Sequence, residues 1–219
     1  MKLALFDLDY TLLEGDSDVA WAQFLIEEGV LHPDEYHAKN LWFAARYKDG
    51  TLDIHEFLDF QLAPLAQHPR AKLDAWHLGF MQRKVRPMIR ERAVELLASH
   101  GDALRAIVTA TNRFITRPIA DELGIEHLIA TDIEERGGSF TGKPCGTPCF
   151  REGKIERVTE WLAARGRRLA DYESWFYSDS LNDMPLLEKV DHPVAVDPDP
   201  TLAAHAGERG WPIISLKGA

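Results

Sequence analysis

The chain has 219 residues, of which 45% are hydrophobic and 27% charged, so it can bury a sizeable core and is neither fibrous nor disordered. Its 35 acidic and 25 basic residues give a formal net charge of −10, which argues against broad binding to nucleic acid or to anionic membranes, because an acidic surface repels phosphate polymers. A small phosphorylated ligand is compatible with this charge, since a local cation or a metal ion can hold one phosphate.

The sequence predicts no membrane span, because no run of about 18 uninterrupted apolar residues is present. The first apolar run is interrupted by Asp7 and Asp9 and lacks the small-residue cleavage site of a signal peptide. We therefore expect a cytoplasmic protein. Cys145 and Cys149 are too few for a disulfide framework and have no histidine near them in the sequence, so we expect two reduced thiols in a loop.

Short apolar runs that end in polar turns recur along the chain and predict buried strands, with helical periodicity between them. This alternation predicts an α/β fold with a doubly wound parallel sheet and helices on both of its faces. The predicted strands are Leu3–Leu8, Leu104–Thr109, His127–Ala130, Trp175–Tyr177, Val194–Val196 and Pro212–Ile214. The predicted helices are Ile89–His100, Arg113–Leu123, Ile155–Arg165, Met184–Lys189 and Thr201–Glu208.

Residues 14–86 interrupt this alternation with helical patterning and no convincing strand. This segment holds nearly half of the aromatic residues, enough bulky surface for a small core of its own. We therefore predict an all-α unit over 14–86, inserted into an α/β core formed by 1–13 and 87–219. The insert leaves the first strand and returns before the second, so it should cross the carboxyl ends of the strands, where open α/β sheets bind their ligands.

Two pairs of acidic residues directly follow predicted strands. Asp7 and Asp9 end the first strand and, in an extended chain, would point to the same side. Asp179 and Asp183 follow the apolar run Trp175–Tyr177. Four carboxylates at the ends of two strands of one sheet can converge on a hard divalent cation, and oxygen ligands with room for water suit Mg²⁺.

These segments resemble the motifs of haloacid dehalogenase superfamily phosphatases. Residues 7–11 match the first motif, D-x-D-x-T, and residues 179–183 resemble the fourth motif, including Asn182 ahead of the last aspartate. The position of the helical insert is similar to that of the cap in subfamily IB, which contains phosphoserine phosphatase and histidinol-phosphatase-like proteins. The resemblance covers the whole chain and implies a Rossmann-like core with an α-helical cap that closes over the site.

The resemblance also implies roles for the acidic residues. Asp7 would attack phosphorus and form an aspartyl-phosphate, and Asp9 would protonate the leaving alcohol and then activate water. Mg²⁺ would be held by the side chains of Asp7 and Asp179 and the backbone carbonyl of Asp9, with Asp183 acting through a water. The residue types agree with these roles, because a carboxylate nucleophile divides a difficult hydrolysis into two steps, and general acid–base help contributes about 10²–10⁴ in rate.

The second motif of the superfamily is a hydroxyl residue at the end of the second core strand, where this chain has Thr109. The hydroxyl of Thr109 and the backbone N–H of Ala110, at the start of a predicted helix, are therefore expected to bind phosphate. For Thr111 and Asn112 we expect helix capping without a ligand.

The third motif is a lysine that neutralises the phosphoryl oxygens, and two lysines compete for it. Lys154 opens a predicted helix that leads to the next strand, as the lysine of phosphoserine phosphatase-like proteins does. Lys143 lies among glycine and proline residues that suggest a hairpin. We assign the role to Lys154 and expect Lys143 to be a solvated surface residue.

Substrate choice is expected to lie in the insert. Asp16 follows Asp9 by seven residues, where phosphoserine phosphatases carry an acid that contacts the substrate amine, although Asp16 is equally suited to cap a helix beginning near Ser17. The stretch comparable with their carboxylate-binding cap arginine, Asp53–Gln61, contains no lysine or arginine. These features favour an amino-alcohol phosphate such as histidinol phosphate over phosphoserine. Arg46 is expected to cover apolar neighbours at the surface.

Two other functions fit the same motifs. A phospho-accepting receiver-like signalling domain also combines an acidic pocket, a hydroxyl residue and a lysine, but Asp9 and the insert favour turnover. A phosphotransferase would form the same intermediate and pass the phosphoryl group to an alcohol instead of water. For both the hydrolase and the phosphotransferase, the expected substrate is a small phosphorylated metabolite.

Overall fold

A seven-stranded sheet forms the centre of residues 1–218, the part of the chain that the computed structural model describes. Its strand order is β4-β3-β2-β1-β5-β6-β7, and all neighbouring strands are parallel except β3 and β4. The strands are β1 (Lys2–Phe6), β2 (Leu104–Asn112), β3 (His127–Arg136), β4 (Ser139–Cys145), β5 (Glu173–Ser178), β6 (His192–Val196) and β7 (Ile213–Ile214). The predicted doubly wound α/β fold is confirmed.

Ten α-helices accompany the sheet over the same residues. Four of them follow β1: α1 (Ser17–Glu27), α2 (Pro33–Lys48), α3 (Ile54–Ala66) and α4 (Arg70–Phe80). A π-helical turn, Met81–Val85, joins α4 to α5 (Arg86–Met88). The others are α6 (Glu91–Ser99), α7 (Arg113–Glu122), α8 (Glu152–Ala163), α9 (Met184–Leu187) and α10 (Pro200–Arg209). None of the helices in residues 1–218 has the length and apolar character needed to cross a bilayer.

The register of the central strand brings three strand ends to one edge of the sheet. Phe6, the last residue of β1, pairs with Ile107 of β2 on one side and with Tyr177 of β5 on the other. The side chains of β1 are completely buried from Leu3 onward, as expected for a central parallel strand covered on both faces. The residues that follow β1 and β5 therefore lie beside the last residues of β2.

Alternate residues of β1 belong to different cores. Leu3 and Leu5 pack in a cluster with residues of α8, α9 and α10, whereas Ala4 and Phe6 pack in a cluster with residues of α6 and α7. Helices α1, α3 and α4 add their apolar side chains to this second cluster, so most of the insert does not form a core of its own. A separate small cluster surrounds Phe43 of α2.

The segment between β1 and β2 enters and leaves the core at one point. Leu13 and Ile89 form an antiparallel bridge, and the N–H of Glu14 donates to the carbonyl of Met88 at 2.8 Å. Helices α1 to α4 lie between these two paired connections. The division into a core over 1–13 and 87–219 and a cap over 14–86 stays a prediction.

The strand β4 and the second half of β3 were not among the predicted strands. This hairpin is largely polar and buries few side chains, so it lacks the apolar run that marked the other strands. One reason for its position is Gly142, whose φ of 78° favours glycine and whose added Cβ would lie 3.1 Å from the Cβ of Ala66. The absence of a side chain there lets β4 pack closely on α3.

Candidate active site

The loops after β1 and β5 are joined by the hydroxyl of Thr11. Oγ1 of Thr11 lies 3.1 Å from Oδ1 of Asp179 and 3.4 Å from Oδ2 of Asp7, and it accepts a hydrogen bond of 3.1 Å from the N–H of Asp179. The N–H of Asp7 in turn donates to the carbonyl of Tyr177 at 2.9 Å. Asp7 and Asp179, distant in sequence, thus share one hydroxyl group.

The ammonium of Lys154 lies between two carboxylates. Its Nζ is 2.7 Å from Oδ1 of Asp7 and 2.7 Å from the carboxylate of Asp183, and all three side chains are almost completely buried. Ser178 donates a further hydrogen bond of 2.6 Å to Asp183. A Cβ at Gly153 would collide with the carbonyl oxygen of Pro148, so the turn that presents Lys154 requires glycine.

The competing lysine is elsewhere. Lys143 is exposed on β4, where its Nζ forms an ion pair of 2.7 Å with Asp59 of α3. The structure therefore brings Lys154, and not Lys143, to Asp7.

The buried charges do not balance at this site. Burial raises the pKa of Asp7 to about 7, although the ammonium of Lys154 lowers it. Burial, Asp7 and Asp183 together raise the pKa of Asp179 well above its usual range. Burial lowers the pKa of Lys154, but the two neighbouring carboxylates outweigh burial and hold it well above its ordinary value. The site thus contains three carboxylates and one ammonium, which contacts only Asp7 and Asp183, and an additional cation would relieve the excess negative charge.

Asp9 is held by two donors. Its Oδ1 accepts a hydrogen bond of 2.7 Å from the N–H of Ser17, and its Oδ2 accepts one of 2.8 Å from Oγ1 of Thr111. Burial, followed by the charge of Asp16, raises the pKa of Asp9 to about 7. β1 ends at Phe6, so Asp7 and Asp9 follow the strand, and the chain turns at Tyr10, which has a φ of 57°. Asp7 and Asp9 line the same cavity.

The expectation that Thr111 only caps a helix was also wrong. The pairing of β2 with β3 is irregular between Thr109 and Asn112, and this irregularity directs Thr111 toward Asp9. Asn112 does cap α7, accepting a hydrogen bond of 3.2 Å from the N–H of Ile115. The hydroxyl of Thr109 accepts from the N–H of Thr111 at 3.2 Å and lines the cavity together with Ala110.

A cavity of about 120 Å³ lies between these loops and the helical insert. Acidic side chains dominate its core side, and aromatic and aliphatic side chains of α2, α3 and the loop between them dominate its other side. Six of the predicted site residues line it: Asp7, Asp9, Asp16, Thr109, Ala110 and Asp179. Lys154 and Asp183 lie behind Asp7 and do not line it.

Asp16 caps a helix and also lines the cavity, so the structure is compatible with both roles considered for it. Its Oδ1 accepts a hydrogen bond of 3.0 Å from the N–H of Val19 and caps α1, and the side chain also lines the cavity. Burial raises the pKa of Asp16. Asp18, which the sequence did not single out, lies beside it, with its carboxylate 3.3 Å from Oγ1 of Thr111. An acid in a first helical turn gives no signal of its own, since such residues are common there.

Asn182 connects the core to the insert. Its Nδ2 donates to the carbonyl of Tyr47 at 2.9 Å, and its Oδ1 accepts a hydrogen bond of 3.0 Å from Nε of Arg151. Arg151 also donates to the carbonyl of Gly50, in the loop after α2. These contacts hold the end of α2 against the site. Arg46 does not line the cavity and lies over the ring of Trp42, at 4.1 Å from its centroid.

The donor set fits Mg²⁺. Within residues 1–218, no three acidic, histidine or cysteine side chains form a ready-made metal cluster. Mg²⁺ does not require one, because it is usually bound by one or two carboxylates and keeps several waters or phosphate oxygens. Asp7 and Asp179, which share the hydroxyl of Thr11, offer oxygen donors in a site with excess negative charge.

Comparisons with known proteins agree with this architecture. Histidinol-phosphatase of Neisseria meningitidis serogroup C (strain 8013) is 44% identical over 221 residues and is matched over 99% of both chains. A crystal structure of a protein with unknown function from Bordetella pertussis Tohama I superposes with a TM-score of 0.93 at 48% identity, over 99% of both chains. A substrate-bound phosphoserine phosphatase complex superposes with a TM-score of 0.67 at 20% identity, over 99% of this chain and 93% of that chain, and so shares the fold.

The model of the haloacid dehalogenase-like hydrolase family matches residues 4–188, from β1 to the end of α9. This span contains Asp7, Lys154 and Asp183, and it covers most of the chain. The chain therefore belongs to the haloacid dehalogenase-like hydrolase family and is a phosphatase of that family.

Proposed function

We propose that the protein is a Mg²⁺-dependent phosphomonoester hydrolase that acts through an aspartyl-phosphate on Asp7. The observation that carries this proposal is the position of Asp7, on the cavity, 2.7 Å from the ammonium of Lys154 and linked through Thr11 to Asp179. An oxygen of Asp7 attacks phosphorus, and the bond from phosphorus to the leaving alcohol breaks. Water then attacks the same phosphorus, releases inorganic phosphate and restores the Asp7 carboxylate.

Asp9 moves the proton in both steps. It gives a proton to the oxygen of the leaving alcohol in the first step and takes one from the attacking water in the second. A pKa of about 7 suits both tasks, because the protonated and the ionised form of Asp9 are then both present near neutral pH. The hydrogen bonds from Ser17 and Thr111 orient its two carboxylate oxygens.

Lys154 and the last residues of β2 hold the phosphoryl group. The ammonium of Lys154 reduces the repulsion between the Asp7 carboxylate and an anionic phosphate, and Thr109 and Ala110 contact the phosphoryl oxygens. The side chains of Asp7 and Asp179 and the backbone carbonyl of Asp9 would hold Mg²⁺, with Asp183 acting through a water, and the ion would supply further neutralisation of negative charge.

The substrate that we propose is an amino-alcohol phosphate, with histidinol phosphate favoured over phosphoserine. Asp16 and Asp18 offer carboxylates to a substrate amine on the same cavity. The stretch Asp53–Gln61 carries no lysine or arginine for a substrate carboxylate, and Lys48, at the cavity, is exposed. The relative from Neisseria meningitidis bears the name histidinol-phosphatase.

The test is a comparison of phosphate release from histidinol phosphate, phosphoserine and p-nitrophenyl phosphate, with Mg²⁺ and after chelation. We expect the highest kcat/KM for histidinol phosphate and loss of all three activities on chelation. A higher kcat/KM for phosphoserine would contradict the substrate proposal, and release that persists after chelation would contradict the metal dependence. Product analysis with added alcohols distinguishes transfer from hydrolysis, and alkyl phosphates in place of inorganic phosphate would indicate a phosphotransferase.

A further inference from the structure

Gln61 is a buried amide on the substrate side of the cavity that the proposed chemistry does not use. It lies on α3, is 7% exposed and lines the cavity opposite the acidic loops. Among residues 1–218, its carboxamide has no hydrogen-bond partner, whereas the neighbouring cavity residues Asp9, Asp16 and Thr111 are all hydrogen-bonded. The amide atoms are not completely enclosed, so they keep contact with the open space of the cavity.

An unpaired carboxamide at such a position requires an explanation. Most buried polar side chains in native proteins are hydrogen-bonded, and leaving one without a partner costs free energy. Leucine would fill a similar volume at the same helical position without that cost, and Gln61 is flanked by the buried residues Leu58, Leu62 and Leu65 of its own helix. The described residues provide no partner for this carboxamide, which is open to the cavity.

The side chains around Gln61 indicate the kind of ligand. Phe43 and Phe57 meet edge to face, with ring centroids 5.2 Å apart, and both line the cavity together with Leu52 and Phe150. Aromatic and aliphatic surfaces of this kind suit a flat apolar group. The acidic side chains Asp16 and Asp18 lie on the same cavity and suit a cation.

We propose that Gln61 is a specificity-determining residue that hydrogen-bonds a ring nitrogen of the substrate. The inference rests on the proposed function and assigns positions to the parts of its substrate: the phosphate at Asp7, the amine near Asp16, and a flat nitrogen-containing ring against the cavity faces of Phe43 and Phe57. A carboxamide can donate to an unprotonated ring nitrogen or accept from a ring N–H, so Gln61 matches either tautomer of an imidazole. The substrate class is thus an amino-alcohol phosphate that carries a hydrogen-bonding heterocycle.

The experiment compares Gln61→Leu with wild type on three substrates: histidinol phosphate, phosphoethanolamine, which has the amine but no ring, and p-nitrophenyl phosphate. For histidinol phosphate we expect a loss of about 10-fold to 100-fold in kcat/KM, mainly through KM, because a polar group of the substrate is then left without a partner. For phosphoethanolamine and p-nitrophenyl phosphate we expect no change, since neither can reach Gln61 with a ring nitrogen. Gln61→Glu, which keeps an acceptor, should retain part of the activity on histidinol phosphate.

Gln67→Leu, an exposed position just after α3, is the matched control and should leave all three substrates unchanged. Equal losses on all three substrates in Gln61→Leu would reveal a structural role and overturn the inference, as would unchanged kinetics with histidinol phosphate. Failure of the wild type to hydrolyse histidinol phosphate would instead overturn the proposed function, and the inference with it.

Discussion

Lys154 contacts only one of the two carboxylate oxygens of Asp7. Its ammonium is 2.7 Å from Oδ1, whereas Oδ2 lies on the side of the hydroxyl of Thr11 that Asp179 shares. The two oxygens of the proposed nucleophile therefore have different surroundings, one next to a fixed cation and the other next to a second carboxylate. In the proposed mechanism, the oxygen away from the lysine is the one available to a metal ion.

Replacing Lys154 by methionine should impair both catalysis and folding. The change leaves the carboxylates of Asp7 and Asp183 buried without their shared cation, and breaking a buried ion pair in this way costs about 3–5 kcal/mol. We expect a fall in kcat of about 10²-fold to 10³-fold, because one fixed donor for the developing charge is removed. The measurements are kcat with p-nitrophenyl phosphate and the free energy of unfolding in urea.

Lys143→Met provides the matched control for that variant. Its ion pair with Asp59 is more than half exposed and should contribute no more than about 1 kcal/mol. A normal Lys154→Met enzyme beside an inactive Lys143→Met enzyme would reverse the assignment of the lysine.

Stability in the absence of divalent cations should fall as the pH rises from about 4 to about 7. Burial raises the pKa of Asp7 and of Asp9 from 3.8 to about 7, so the native state binds more protons than the unfolded state in this range. The free energy of unfolding then has a negative slope with pH. Mg²⁺ should flatten this slope, because it replaces the bound protons. Chemical unfolding at several pH values, with EDTA or with Mg²⁺, measures the effect. A free energy of unfolding that rises from pH 4 to pH 7 under EDTA would contradict the prediction.

Thr111→Val should move the pH dependence of catalysis toward higher pH. The hydroxyl of Thr111 donates to Asp9 and lowers the pKa of that carboxyl, so its removal should raise the pKa of Asp9. We expect an alkaline shift of the pH profile of kcat together with a reduced maximum. Thr159→Val, on the exposed side of α8, is the control. Loss of activity without any shift in the profile would indicate that Thr111 acts only on folding.

Arg151→Met should loosen the end of α2. Arg151 binds the carbonyl of Gly50 and the side chain of Asn182, and these contacts hold the helix end that carries Tyr47 against the site. We expect a higher KM for histidinol phosphate, a smaller change in kcat, and faster proteolytic cleavage near Gly50. Unchanged cleavage and an unchanged KM would show that α2 is held by its apolar contacts alone.

The sequence was sufficient to predict strands, and the meeting of their ends, where buried apolar runs lead into charged residues. The run before Asp7 and the one before Asp179 predicted two strands and the meeting of their ends, because parallel strands in register bring those ends to one edge. The glycine and proline residues around Lys143 indicated a hairpin, but β4 and the second half of β3 were not predicted as strands, because their residues are polar and their position depends on packing against α3.

The missed residues of the candidate site depend on tertiary contacts. Thr111 reaches Asp9 through an irregularity in the pairing of β2 with β3. No local sequence pattern predicts this irregularity, and threonine at the start of a helix is a common capping residue. The sequence therefore predicted a cap and not a contact with Asp9. Gln61 sits at a core-facing position of an amphipathic helix, and its contact with the cavity depends on how α3 lies across the sheet edge.

The most direct test of the central claim is mass spectrometry of the acid-quenched enzyme during turnover of its substrate with Mg²⁺. We predict one phosphoryl group on the peptide that contains Asp7, absent after chelation of the metal and absent in Asp7→Asn, which should also release no phosphate. Turnover by Asp7→Asn, or a phosphoryl group on a peptide that lacks Asp7, would contradict the account.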